Sequence, residues 1–222
     1  MKAFILAAGL GTRLLPHTSK KPKCLIKIDG KPLLLWTIER LKAFGIKDLV
    51  INLFHEGHQI ENFFGDGSDF DVSIEYVPEK VLLGTGGGVT NALNVLGKEP
   101  FVILSSDVWT DFNFCHLSLD SEILAHLVLI ENPVHNPDGD MFLDGNVVNS
   151  EGKGESLTFS GIALVDPKLF NRDKKGNYEL WTEVFLPASK KGLVTGELFK
   201  GDLININSQK DLEKLDAYLA EE

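Results

Sequence analysis

Apolar runs too short for anything but buried strands alternate with stretches of helical spacing through the first 105 residues. Ala3–Leu6 reads as a strand that stops at Gly9. From Pro32 to Phe44, Leu34, Ile38, Leu41 and Phe44 recur at helical spacing, with Pro32 suited to a first helical position and Gly45 to a C-terminal cap. Asp48–Leu53 is the next strand, Glu56–Phe64 a short helix closed by Gly65, and Val72–Tyr76 a further strand. Gly87–Leu96 then reads as helix and Phe101–Leu104 as a compact buried strand running into Ser105-Ser106-Asp107. Such alternation predicts a three-layer α/β fold with a Rossmann-like, mixed but mainly parallel sheet covered on both faces. Ligands of open α/β sheets bind beyond the carboxyl ends of the strands. Gly9 and Asp107 both follow such ends, so both are expected on one side of the sheet.

The second half changes character. Ala125–Ile130, Met141–Leu143, Leu157–Val165 and Leu193–Phe199 read as strands separated by polar turns such as Asp144-Gly145-Asn146. These suit antiparallel additions to the same sheet. Ser208, with Asp211 three residues on, marks a helix start, and Leu212, Leu215 and Leu219 share a face of that helix. No repeat, low-complexity tract or linker interrupts the 222 residues, so a single domain over 1–222 is expected.

Charge narrows the ligand class. Lys and Arg number 22 against 32 Asp and Glu, a net charge of −10. A duplex-binding protein needs a basic face to neutralise phosphates, so a nucleic-acid partner is not expected. A polyanionic ligand must instead be held by a few focused cations, backbone N–H groups or a metal. Two cysteines, Cys24 and Cys115, form neither a disulfide framework nor a CxxC zinc motif. No apolar run approaches the roughly 20 residues that span a bilayer, and the Met1–Ala8 start reaches Gly9, Gly11 and Arg13 too soon for a signal peptide. A reducing, cytoplasmic setting without a membrane partner is the expectation. Oligomeric state is not readable.

The turn Leu6-Ala7-Ala8-Gly9-Leu10-Gly11-Thr12-Arg13 follows the first strand directly. Its small residues admit a phosphate or a base close to the backbone, and successive N–H groups can form an anion-binding nest. It is not a dinucleotide fingerprint, because Leu14 stands at the third glycine and Pro16 interrupts the following helix. Nor is it a P-loop, since Arg13 stands where that motif needs glycine. Taken alone, the glycine pair suits a ligand-free strand exit as well as a phosphate cradle. The continuation Pro16, Lys20-Lys21-Pro22-Lys23 weights the second reading: arginine offers a planar fork to phosphate oxygens, and lysine a movable point charge. Lys20 and Lys21 read as solvated surface charges. His55 and His58 lack the i, i+4 spacing of a zinc helix and read as surface or helix-start residues.

Leu6-Ala7-Ala8-Gly9-x-Gly11-Thr12-Arg13, with Pro16, Thr18 and Pro22-Lys23, resembles the signature of the sugar-1-phosphate nucleotidyltransferases. The likeness extends through Val50-Ile51-Asn52, Thr85-Gly86-Gly87-Gly88, Asp107-Val108-Trp109-Thr110-Asp111, His126–Leu129 with Asn132-Pro133, and Leu157–Ile162. Those later segments are most similar to the branch that uses UTP and N-acetylmuramate 1-phosphate in cell-wall sugar recycling. The resemblance implies a nucleoside triphosphate and a sugar 1-phosphate as substrates, Mg²⁺ as cofactor, and attack of the sugar phosphate on the α-phosphorus. It implies that Ala8, Gly9, Gly11 and Thr12 meet base and phosphates, that Arg13 meets the β- and γ-phosphates, and that Lys23 lies near the reacting centre. By the same resemblance Gly84 and Thr85 recognise the base, and Asp107 and Asn205 hold the metal. Ser106, Gly139, Asp140, Ser160 and Gly161 would line the sugar.

The sequence departs from the family pattern in three places. Asn205 stands where the muramate branch usually carries aspartate, with Asp202 as a substitute ligand. Ser106 replaces the glycine common before the catalytic aspartate. The Glu-Lys-Pro sugar-phosphate segment has no clean counterpart, leaving Lys153 or Glu155 for that contact. From the residues alone, Asp107 reads as a metal ligand or a turn cap, Asp111 as a local cap or turn former, and Asn52 as facing the nucleotide or satisfying buried backbone. The alternatives at the level of function are another hexose 1-phosphate, such as mannose 1-phosphate with GTP, and a non-catalytic nucleotide-binding module on the same fold.

Overall fold

Four neighbouring strands carry apolar side chains on both faces, and that decides the layering. In the computed structural model, which describes residues 1–152 and 154–220, these are β1 (Lys2–Leu6), β4 (Asp48–Leu53), β5 (Ser73–Pro78) and β6 (Phe101–Ser105). They run parallel in the order β5-β4-β1-β6. Ala3, Ile5, Leu49, Ile51, Val102 and Leu104 enter one core, while Phe4, Val50, Phe101 and Ile103 enter the other. Burial on both faces is why these strands read as continuous apolar runs. The first core is closed by Leu34, Ile38 and Leu41 of α1 (Leu33–Ala43) and by Ile60 and Phe64 of α2 (Gly57–Phe64). The second is closed by Val89, Ala92, Leu93 and Leu96 of α3 (Gly84–Leu96), and by Val184, Phe185 and Ala188. The last three lie on a wide π-helical turn, Trp181–Phe185, that runs into α4 (Leu186–Ser189).

Five more strands extend the sheet to nine: β8 (Ala125–Ile130), β9 (Met141–Asp144), β10 (Val147–Asn149), β11 (Glu155–Val165) and β12 (Val194–Leu198), in the order β6-β11-β8-β12-β10-β9. β11 is antiparallel to both β6 and β8, and β12 is parallel to β8. The expected mixed sheet is present, and Gly145-Asn146 makes the β9–β10 turn. Two small ribbons escape the apolar pattern because each strand spans two or three residues: β2 (Lys27–Ile28) with β3 (Lys31–Pro32), and β7 (Val108–Thr110) with β13 (Leu203–Asn205).

The closing helix α5 (Gln209–Ala220) starts as read. The Asp211 carboxylate accepts from the Ser208 N–H at 2.7 Å and its hydroxyl at 2.8 Å, and from the Asn207 N–H at 2.8 Å. Leu212 and Leu215 pack with Leu14, Ile28, Leu33, Ile204 and Ile206 in a third cluster. One helix face thus supports both the loop after β1 and the strand that ends in Asn205. Among the described residues no helix is long and apolar enough to cross a membrane.

Candidate active site

β1 and β6 are register neighbours, with Leu6 opposite Ser105, so whatever follows them is adjacent. Gly9, Gly11, Thr12 and Arg13 from the first loop, Lys23 from the next turn and Asp107 from the end of β6 line one hollow of about 270 Å³, together with Leu10, Leu14 and Leu82. Leu82 carried no signal in the sequence; it arrives on the segment between β5 and α3.

The loop's path has an identifiable cause. Gly11 sits at φ 62°, and a Cβ there would lie 2.9 Å from Thr18 Cγ2 and 3.2 Å from Lys23 Cβ. Glycine is needed for the backbone sign and for the space. Thr18, 1% exposed, donates its hydroxyl to the Gly11 carbonyl at 2.7 Å, and the Thr18 carbonyl lies 3.0 Å from His55 Nε2. His55 therefore belongs to the support of this loop. Arg13 is exposed and has no acidic partner among the described residues. Ala8 is 6% exposed and lies beneath the loop.

Lys23 Nζ lies 2.6 Å from Asp107 Oδ2, with the two side chains 14% and 26% exposed. The pair answers the electrostatic question posed by a carboxylate at a buried strand end: a partly desolvated charge is compensated by a counter-charge. Cys24, fully enclosed next to Lys23, has its thiol pushed up to about 12 by burial, so at neutral pH it is a small neutral packing group and no nucleophile.

The β7–β13 ribbon brings the backbone at Asn205 beside that of Asp107, although Asn205 is not among the residues lining the hollow. Asn205 pairs with Val108, the Ile206 N–H donates to the Asp107 carbonyl at 2.9 Å, and Asn205 is exposed. Both side chains offer hard oxygens of the kind Mg²⁺ takes, and the single carboxylate is bonded to the Lys23 ammonium. Among the described residues no three His, Cys, Asp or Glu side chains form a metal-holding group. A Mg²⁺ with few protein oxygens, completed by phosphate oxygens and water, matches that arrangement.

Other expectations need correction. Asp202 is not a substitute ligand: it sits at the far end of the ribbon, three residues or roughly 10 Å from Asn205. Its carboxylate accepts from Tyr218 and its N–H donates to Asp111. Asp111 makes long-range contacts instead of a local turn: its N–H donates to the Asp202 carbonyl at 3.1 Å and its carboxylate accepts from the Asp202 N–H at 2.8 Å. α3 begins at Gly84, three residues before the expected Gly87, so Gly84–Gly88 form its first turns. The Gly86 and Gly87 N–H groups donate to the Tyr178 carbonyl at 2.9 and 3.2 Å. Thr85 Oγ1 donates to Glu179 Oε2 at 2.7 Å and accepts from the Leu180 N–H at 2.8 Å, so the Thr85 hydroxyl anchors residues 179–180.

The residues expected around the sugar are likewise occupied. Ser160 is 2% exposed, and its hydroxyl accepts from the Ile162 N–H within a β-bulge of β11. Asp140 accepts from Asn136 Nδ2 at 3.0 Å and the Phe159 N–H at 2.9 Å, clasping the Asn132–Asp140 loop to β11. At Gly139 a Cβ would lie 2.6 Å from both Asn132 Oδ1 and Ser156 Oγ, and at Gly161 it would lie 2.9 Å from Ser105 Oγ. Ser106, 8% exposed, gives its N–H to the Leu6 carbonyl at 3.1 Å. None of these groups is among the residues lining the hollow. Glu155 opens β11 opposite Leu143, and Lys153 lies outside the described residues.

A family model described as nucleotidyl transferase matches residues 2–135. The chain is 40% identical over 225 aligned residues to N-acetylmuramate alpha-1-phosphate uridylyltransferase of Neisseria meningitidis serogroup B, covering 98% of this chain and 97% of that protein. This chain belongs to the nucleotidyl transferase family. Among more distant members, the mannose-1-phosphate guanyltransferase of Aspergillus oryzae is 28% identical over 229 aligned residues, covering 95% of this chain and 62% of the relative. HddC from Yersinia pseudotuberculosis, solved with GMP-PN, superposes with a TM-score of 0.81 at 25% identity, covering 98% and 99% of the two chains. As a sugar-1-phosphate nucleotidyltransferase, the protein is an enzyme on the fold that its strand order describes.

Proposed function

We propose that this enzyme transfers a uridylyl group from UTP to N-acetylmuramate 1-phosphate, releasing pyrophosphate and forming UDP-N-acetylmuramate. The observation that carries the chemistry is the hollow shared by Arg13, Lys23 and Asp107 beneath a glycine loop. The substrate reading rests on 40% identity along nearly the full length of both chains. A cell-wall recycling role and a cytoplasmic location follow from the same reading.

An oxygen of the sugar phosphate, already a dianion near neutral pH, attacks the α-phosphorus in line. The bond from α-phosphorus to the bridging β-oxygen breaks, and pyrophosphate leaves with that electron pair. No protein nucleophile is needed, so the chain's contribution is positioning and charge neutralisation. Gly9, Gly11 and Thr12 bring backbone close to the nucleotide, Arg13 forks to the β- and γ-phosphates, and Lys23 faces the charge that develops around the α-phosphate. Asp107 and Asn205 would hold Mg²⁺, which supplies Lewis-acid neutralisation of phosphate oxygens. The sugar lies toward the wall formed by the Asn132–Asp140 loop and the Ser160–Gly161 bulge, whose shape Asp140 and Ser160 maintain through their own backbone contacts.

A pyrophosphate-release panel crossing UTP, GTP, CTP and dTTP with several sugar 1-phosphates in Mg²⁺ tests the reading. UTP with N-acetylmuramate 1-phosphate should give the highest kcat/KM. Preference for GTP with mannose 1-phosphate would replace this substrate pair, and nucleotide binding with no pyrophosphate from any pair would replace catalysis with sensing. Because asparagine offers a neutral oxygen, Asn205→Asp should lower the Mg²⁺ concentration giving half-maximal rate. An unchanged metal dependence would remove Asn205 from the ligand set.

A further inference from the structure

A buried hydrogen-bond chain joins the two glycine motifs, and nothing in the mechanism above uses it. Asn52, at the penultimate position of β4, is 2% exposed, and Glu79, just beyond β5, is 7% exposed. Asn52 Oδ1 accepts from the Ala7 N–H at 2.7 Å, where the triphosphate loop leaves β1. Asn52 Nδ2 donates to Glu79 Oε1 at 2.8 Å. Glu79 Oε2 accepts from the Leu83 N–H at 3.0 Å, immediately before α3. The chain therefore reads Ala7 N–H, Asn52, Glu79, Leu83 N–H, with each side-chain atom in one defined role. It leaves no slack: a Cβ at Gly88 would lie 2.9 Å from both Asn52 Nδ2 and Glu79 Oε1. The Glu79 N–H also donates to the Leu53 carbonyl at 2.7 Å, pinning the carboxylate's own backbone to β4.

We infer that Asn52 and Glu79 are positioning residues that hold the loop after β1 and the start of α3 in fixed relation, setting the width of the nucleotide cleft between them. The inference rests on the nucleotide reading given above. Neither residue lines the hollow, whereas Gly9 and Leu82, two and three positions along the chain from the clamped Ala7 and Glu79, both do. A buried polar chain of this kind fixes geometry because any slip leaves a donor or an acceptor unmatched in a low-dielectric setting.

The direction of the chain supplies its own test. Asn52→Asp sets two carboxylate oxygens against each other. Glu79→Gln forces two donors together, either at Leu83 N–H or at Asn52 Nδ2. The double variant restores complete pairing with reversed polarity: Ala7 N–H to Asp Oδ1, Gln Nε2 to Asp Oδ2, and Leu83 N–H to Gln Oε1. UTP binding in Mg²⁺ is measured by calorimetry, alongside KM for UTP and for the sugar phosphate, and amide exchange of residues 7–14 and 83–88 in the free protein. Each single variant should bind UTP at least tenfold more weakly, with faster exchange in both segments and an unchanged sugar-phosphate KM. The double variant should return to within about threefold of the wild type.

Single variants that bind UTP like the wild type, or a folded double variant as weak as the singles, would overturn the positioning role. So would failure of all three to fold, since the pair would then serve the fold and not the cleft. A wild-type chain that binds no nucleoside triphosphate would overturn the nucleotide reading itself, and the positioning role with it.

Discussion

Replacing Lys23 by alanine is expected to lower kcat about 10²–10³-fold at saturating substrates, a loss of about 3–4 kcal/mol in transition-state stabilisation. Two effects add. The ammonium that faces the developing phosphate charge is gone, and Asp107, 2.6 Å away in the intact enzyme, is left as an uncompensated carboxylate in the same hollow. The second effect repels the triphosphate, so KM for nucleotide should rise together with the fall in kcat. Lys23→Arg should not rescue fully, because a planar guanidinium cannot take the point-charge position of an ammonium between Asp107 and a phosphate. Turnover of Lys23→Ala within threefold of the wild type, with an unchanged melting profile, would remove Lys23 from the reacting centre.

Leu215→Ala should cost about 2–5 kcal/mol of folding stability, the range for deleting a fully buried leucine side chain. Leu215 is 0% exposed and packs in the cluster that contains Leu14, Ile204 and Ile206. The cavity would open beneath the loop carrying Arg13 and beneath the strand ending in Asn205, so the loss reaches the site from a helix that contributes no residue to it. Urea denaturation should show a lower midpoint with an unchanged slope. A change below 1 kcal/mol would mean that α5 does not support these elements as described.

The parallel half of the fold was legible because burial on both faces leaves no polar alternation to read. Ile5, Ile51 and Leu104 mark one face and Phe4, Val50 and Ile103 the other within a single apolar run. The glycine loop was legible because Gly11 meets a steric demand that no other residue satisfies, and Pro22 fixes the entry to Lys23. Asn52 was readable only as far as two alternatives. Its partner Glu79 lies 27 residues away, and the structure assigns it to buried backbone and not to a ligand-facing role. Thr85 shows the same limit more sharply: its hydroxyl partners, Glu179 and Leu180, are 94 and 95 residues downstream, on a segment whose sequence carried no helical signal around Pro187. Ser160 and Asp140 were given ligands by resemblance; in the structure the Ser160 hydroxyl accepts from the Ile162 N–H, and Asp140 accepts from the Phe159 N–H and the Asn136 side chain, contacts the sequence did not announce. Polar side chains with local backbone partners within reach carry no external mark of which they will choose.

The packing of Leu14 against Leu212 and Leu215 joins positions almost two hundred residues apart. A chain extended only to residue 206 already possesses every strand of the main sheet, yet the loop after β1 rests on only part of its apolar floor, Ile28, Leu33, Ile204 and Ile206, without Leu212 and Leu215. Full apolar support of that loop is therefore completed only by the last helix, well after the first strand has its neighbours in the chain.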